Sequence, residues 1–235
     1  MNLLQLVQRL HREAGRSGDG PTSIVGTSKQ HQRLFDWVAD ANRELESRPL
    51  DLRWMRRRVT IATVATPTAL TSYAPRAAIV DGGLGLTTFG RWRPPSDEWA
   101  PRVVDPTDAS RTWDLEFLPL DDWRDAYVHS TQVPSRPSAW SVDDDDALLI
   151  GPTPDAAYNI RIEYLRTPLD LDANDDEPEF GAEFHMILCW RALIEVGKFD
   201  NASDILARAQ TNYARLEDSL LSRYTRKMTW GAPLA

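Results

Sequence analysis

Apolar spacing changes period twice along this chain of 235 residues, near Trp54 and again near Phe180. Such a chain cannot fold as one uniform layer, because helices and strands bury different spacings. Before Trp54 the spacing is helical. Leu3, Val7, Leu10 and Ala14 share one stripe, Asn2 can cap it and Gly15 can end it, so a helix is expected over about 2–14. A loop rich in Gly, Ser and Pro follows over 15–26. Thr27-Ser28-Lys29-Gln30 then fits a capping box in which Gln30 reaches back to the cap. Leu34, Val38, Ala41 and Leu45 continue a second helix until Pro49, which cannot donate to the ladder, stops it.

From Trp54 the residues become β-branched and partly alternating. Val59 to Val64, Trp113 to Leu118, Ala147 to Ile150 and Tyr158 to Tyr164 read as strands. In the last, Tyr158, Ile160, Ile162 and Tyr164 share one face. Prolines such as Pro75, Pro101, Pro119, Pro137 and Pro154 break this region into short pieces, and Asp121-Asp122-Trp123 can open a single helical turn. Past Phe180 the helical period returns. A third helix, apolar nearly all round, is expected over 180–197, which marks it as central. Asn201 can cap a fourth, with Asp204 in its first turn, and Leu206, Ala209, Tyr213, Leu216 and Leu220 form its seam. The expected class is α+β, mainly α. A helical bundle is built from both termini (1–57 and 166–224), with a β-rich insertion (58–165) and a C-terminal tail (225–235).

Composition excludes several functions. Net charge is −8, with Lys+Arg 27 against Asp+Glu 35, which opposes tight non-specific binding to nucleic acid. The single Cys189 allows neither an intramolecular disulfide nor a cysteine-based zinc cluster. Gln5 and Gln8 interrupt the N-terminal apolar run, so no signal peptide is expected. The longest apolar run, Phe184 to Trp190, is far short of the ~20 residues of a membrane span, and no membrane partner is expected. Nine Trp are many; large amphipathic side chains suit interfaces as well as cores.

Motifs for chemistry are weak. Gly82-Gly83-Leu84-Gly85 lacks the third glycine of a dinucleotide fingerprint, and there is no P-loop lysine and no Gly-x-Ser-x-Gly elbow. His185 and Cys189 share a helical face, but their apolar neighbours make a core histidine beside a core thiol the better reading. Asp170 to Asp175 begins like a calcium loop but has Asp175 where the turn glycine belongs and Gly181 where the bidentate Glu belongs. The run Asp143 to Asp146 reads as a solvated turn tip. Arg56, Arg57 and Arg58, three basic residues after Trp54, suit a paired or interface-facing cluster better than nucleic acid. No catalytic residue, metal site or cofactor is expected. A hydrolase using Asp121, Asp122 or Glu116 would need folding to gather them in a cleft.

Gly151-Pro152-Thr153-Pro154-Asp155, the Tyr158 strand, Thr167-Pro168, Asp175-Asp176-Glu177-Pro178 and the helix opened by Glu183-Phe184-His185 follow one another in a distinctive order. This order resembles the head-to-tail adaptor (connector) family of tailed phages, which includes the tail tubular protein A of short-tailed phages. Trp54, the basic triplet, Thr60, Thr63, Tyr73 and Pro75 agree more loosely, and residues 77–101 match nothing in the pattern. The resemblance implies a non-enzymatic virion protein of the phage neck, made in the host bacterial cytoplasm. It implies a homo-oligomeric ring, a dodecamer, between the portal protein and a tail or nozzle protein. Genomic DNA would pass through its channel without specific binding. Arg223, Arg226, Lys227, Met228, Trp230 and Leu234 are the expected portal-docking residues, and Trp54, Arg56, Arg57 and Arg58 the expected subunit or neck interface. The rival reading is a tail-associated carbohydrate- or receptor-binding module using Trp92, Trp99, Trp113, Trp123 and Trp140.

Overall fold

The computed structural model describes residues 1–64, 71–77, 83–96, 99–105, 107–131 and 133–225. The chain divides into two compact units. One comprises Met1–Met55 with the residues from Pro168 onward; the other is Arg56–Thr167.

The first unit holds helices α1 (Leu3–Glu13), α2 (Lys29–Glu46), α4 (Met186–Phe199) and α5 (Ser203–Tyr224). A capping box starts α1. The Asn2 side chain accepts from the Gln5 amide at 2.9 Å, and the Gln5 side chain accepts from the Asn2 amide at 3.1 Å. The next two free amides donate to loop carbonyls, Leu3 to Asp176 at 2.8 Å and Leu4 to Asn174 at 3.2 Å. The expected box at Thr27 does not form. Ser28 is the cap instead, accepting from the His31 amide at 3.3 Å. Asn201 does not cap α5 either; it adopts φ 52 in the tight turn that reverses the chain between α4 and α5. A Cβ on Gly197 would lie 3.1 Å from Leu206, so the missing side chain permits that close crossing. Leu3, Leu6, Val7, Leu10, Leu34, Val38, Ala192 and Leu193 are fully buried and make the core of this unit.

One buried carboxylate organises this core. Asn42 and Glu46 stand one helical turn apart on α2. The Asn42 amide donates to the Leu169 carbonyl at 2.8 Å, and the Leu169 amide donates to the Glu46 carboxylate at 2.7 Å. The other Glu46 oxygen accepts from Trp54 Nε1 at 3.1 Å. Glu46 is 2% exposed. A carboxylate this deep persists only when hydrogen bonds replace its lost water.

The second unit contains two sheets. In the first, β9 (Asn159–Arg166) pairs along its length with β1 (Arg56–Ala62), antiparallel, from Arg56 opposite Leu165 to Ala62 opposite Asn159. Its other edge is shared by β3 (Phe89–Trp92) and β4 (Arg102–Val104), and β4 continues to β5 (Thr112–Asp114). The second sheet runs β2 (Thr71–Tyr73), β8 (Leu148–Gly151), β7 (Ala139–Val142) and β6 (Glu116–Phe117). Tyr158, Ile160, Ile162 and Tyr164 point into the core as their spacing predicts, with Phe89, Trp92, Trp140, Leu148 and Ile150 around them.

The expected mainly α class is overturned. Among the described residues nine strands form two sheets around a core of their own, and α3 (Leu120–Tyr127) lies between strands rather than at a terminus. Strands of two to four residues carry too few positions for a period to register, whereas long helices stand out. The stretch Trp113 to Leu118 shows how such a reading fails. It is two strands, not one. Leu115 is buried between them, β5 joins the first sheet and β6 joins the second, parallel to β7.

Replacing Glu46 tests the clamp. Glu46→Ala strands the Trp54 and Leu169 N–H groups in the core and should lower unfolding stability by about 3 kcal/mol. Urea denaturation followed by circular dichroism measures it; an unchanged midpoint would show that the carboxylate is dispensable.

Candidate functional site

The outer face of the first sheet carries an arginine-lined cleft. Strand alternation sets its contents, because the residues between the buried positions of β9 point outward. Arg161 lies opposite Thr60 on β1 and Arg102 on β4, Glu163 lies opposite Arg58, and Arg102 lies opposite Asp114 on β5. The two carboxylates and the arginines among them, with Ser96, Trp99 and Ala100, line a cleft of about 330 Å³.

The charges within it are unevenly matched. Glu163 binds Arg58 at 2.9 Å through one oxygen and Arg93 at 2.7 Å through the other. The Arg93 guanidinium also stacks on Trp99, 4.7 Å from the ring centre. Asp114 binds Arg102 Nε at 2.9 Å. The Arg161 side chain has no ion-pair or hydrogen-bond partner among the described residues, and its cross-strand neighbour is another arginine. Like charges directly opposite in a sheet destabilise it. Among the described residues that line the cleft, three guanidiniums (Arg58, Arg102, Arg161) thus meet two carboxylates (Asp114, Glu163), and the largely buried Arg93 shares Glu163.

The same unit carries an acidic ridge made from α3 and the β7–β8 turn. Asp121, Asp122 and Asp125 are exposed on α3, and Asp144 and Asp145 on the turn. Arg124 joins the two parts, 3.8 Å from Asp121 and 3.3 Å from Asp144. The Asp121 and Asp144 side chains are 95% and 85% exposed. Asp143 turns inward instead, accepting from the amides of Asp145 at 3.0 Å and Ala147 at 2.7 Å. The run is therefore a self-bonded hairpin turn with two acidic groups facing water.

The residues singled out from sequence fall in different places. Trp54 is 9% exposed, stacked against Phe180 and Tyr224, so its bulk is spent inside the first unit. Arg56 and Arg57 are half-buried at the start of β1, where Arg57 donates to the Arg56 carbonyl at 3.0 Å; Arg58 forms part of the cleft. Alternation along β1 therefore splits the basic triplet. Arg223 pairs with Glu183 at 2.5 Å and lies over Phe184. Arg226, Lys227, Met228, Trp230 and Leu234 lie outside the described residues.

The weak chemical motifs resolve into packing and turns. Nε2 of His185 donates to the Phe180 carbonyl at 2.9 Å, and Nδ1 lies 2.7 Å from the Met1 nitrogen. Cys189 is fully buried, and burial pushes its thiol up to about 12. In the calcium-like stretch, Asp176 accepts from the amides of Asp172 at 2.8 Å and Ala173 at 2.7 Å, while Asp170 pairs with Arg43. No group of three or more metal-ligating side chains is gathered among the described residues. No helix there is long and apolar enough to cross a membrane. Trp92, Trp123 and Trp140 are buried, so they offer no carbohydrate platform. Glu116 lies on β6 and Asp121 and Asp122 on α3, all exposed to solvent. Sequence reasoning passed over Arg161, Arg102, Glu163 and Asp114. The polar side of β9 was legible, and much of β1 with it, but β3 and β4 on its other edge were not.

Compared with known proteins, the chain matches the family model described as SU10 adaptor protein over residues 1–235. No curated protein matches the sequence.

The placement of Cys189 is open to a direct check. In native protein near pH 8 the thiol should react with a disulfide reagent more than about a hundredfold more slowly than free cysteine, and fully once denatured. Absorbance of the released thiolate measures this. Rapid labelling of the native chain would contradict its burial.

Proposed function

Because this chain belongs to the SU10 adaptor protein family over its full length, we propose that it forms the head-to-tail adaptor ring of a phage neck, one face toward the portal and the other toward the tail. Membership makes it a phage adaptor protein, a structural component of the virion. The ring, the portal contact and the DNA channel are the finer reading. The whole-length match carries it, since the family's name describes a joining role and the match leaves no part of the chain unaccounted for.

The reading assigns work to particular residues. A closed ring around DNA needs a heterologous interface, one patch of each copy seated on a different patch of the next. Arg56, Arg57 and Arg58 serve the subunit or neck interface from β1, and Trp54, packed within the first unit, stands in the sequence just before them. The segment from Arg223 through Arg226, Lys227, Met228, Trp230 and Leu234 docks on the portal. Its cations pair with acidic portal groups and its Trp fills an apolar pocket, since aromatic and arginine anchors dominate such contacts. With a net charge of −8, DNA passes through the lumen without being gripped. The protein acts by assembly, not catalysis.

Truncation after Tyr224 tests the docking. The shortened chain should keep its circular dichroism spectrum but bind portal-bearing heads at least about tenfold more weakly. Equal docking by the shortened and full chains would remove the tail as the anchor. Failure of the full chain to dock would remove the adaptor reading itself.

A further inference from the structure

We infer that the arginine cleft of the first sheet receives the acidic ridge of a second copy of this chain, and that this contact closes the ring. The inference rests on the ring reading above and names its interface.

The cleft retains what a free subunit should avoid. Arg161 and Arg102 stand cross-strand with like charge, and among the described residues only Arg102 has a carboxylate partner, Asp114. A third carboxylate from outside would sit between the two guanidiniums and remove that repulsion. Guanidinium forks favour carboxylate and phosphate alike, so charge on the cleft walls decides between them. Glu163 and Asp114 are fixed there by Arg58, Arg93 and Arg102, and they oppose a continuous phosphate backbone. A pocket of about 330 Å³ has room for one or two acidic side chains, not for a duplex.

The ridge has the complementary form. Asp121, Asp122 and Asp144 project from one exposed patch, with Arg124 the cation that joins its two parts. Cleft and ridge share no residue and come from different strands and helices of one unit. Two distinct complementary patches on one subunit are what a head-to-tail ring requires. A chain with a net charge of −8 also needs a basic recess on every copy if acidic subunits are to meet without repulsion.

A two-variant mixing experiment tests this. Arg161→Glu with Arg102→Glu makes the cleft acidic; the triple substitution Asp121→Arg, Asp122→Arg and Asp125→Arg makes the ridge basic. These residues are exposed, and circular dichroism confirms folding. Self-association of the full chain is read by sedimentation velocity, and ring formation by negative-stain images of free protein and of protein on portal-bearing heads. Each variant alone should self-associate about tenfold more weakly than wild type. Mixed in equal amounts, the two should recover rings of alternating subunits, because each cleft then meets an opposite ridge. If wild type forms rings and either variant does so equally well, or the mixture stays apart, the inference is overturned and the ring reading stands. Loss of retention on a short DNA duplex by the cleft variant, with assembly unchanged, would assign the cleft to phosphate and also overturn it. If wild type forms no ring in either setting, ring and inference fall together.

Discussion

The first unit depends on a carboxylate in the wrong solvent. Glu46 sits in a hydrocarbon core, where an ionised group costs several kcal/mol unless hydrogen bonds replace its water. Trp54 and Leu169 supply such bonds, and their chain segments are the ones that leave this unit for the sheets and return from them. Asn42 completes the arrangement by holding the Leu169 carbonyl. Two polar residues one turn apart on α2 therefore grip both polar groups of a single residue. A hydrophobic contact could hold those segments close but could not fix their register, because burial is non-directional. The acid at this position exchanges desolvation for geometry, and the aromatic cluster of Trp54, Phe180 and Tyr224 then packs against segments already positioned.

In the second unit the corresponding role belongs to β9. One face supplies Ile160, Ile162 and Tyr164 to the core, continuing from Tyr158 just before the strand; the other supplies Arg161 and Glu163 to the cleft. The two roles cannot be separated, since a one-residue slip against β1 would exchange them. The apolar face thus fixes the register that brings Arg161 beside Arg102 and Glu163 beside Arg58. Core packing sets the electrostatics of the surface, and the like-charge pair persists because the hydrophobic term is larger than the exposed repulsion.

Legibility in the sequence followed the length of each element. The capped start of α1, the inward face of β9 and the seam of α5 were readable because several residues repeat one spacing. Two cap assignments missed. Ser28 rather than Thr27 begins α2, and Asn201 takes a left-handed turn because the chain reverses there within a few residues. Those choices depend on where the neighbouring helix lies, which local sequence does not state. The fold class failed for a similar reason: β6 spans two residues and β2, β4 and β5 three each, below the length at which alternation can be seen. The cleft was invisible because it depends on pairing. Arg102, Asp114 and Arg161 are far apart in sequence and adjacent only through β4. The basic triplet at Arg56 was conspicuous as a run, but a strand sends successive side chains to opposite faces, so a run on β1 is not a patch.

The self-contact we propose must reconcile an acidic surface with the meeting of like copies. Uniform negative charge keeps subunits soluble and apart, and scattered exposed pairs would not overcome it, because each is worth little in water. A recess changes the balance. Within the cleft, Trp99 and the sheet displace solvent from one side of the guanidiniums, so an entering carboxylate meets less screening than on an open face. The carboxylates already present hold Arg58, Arg93 and Arg102 in place, which reduces the side-chain entropy lost when a partner arrives. Arg161, anchored in a strand whose register the core enforces, is the cleft cation without a side-chain partner among the described residues and the one we assign to the proposed contact. Its specificity arises from the same alternation that builds the core, without any dedicated binding loop.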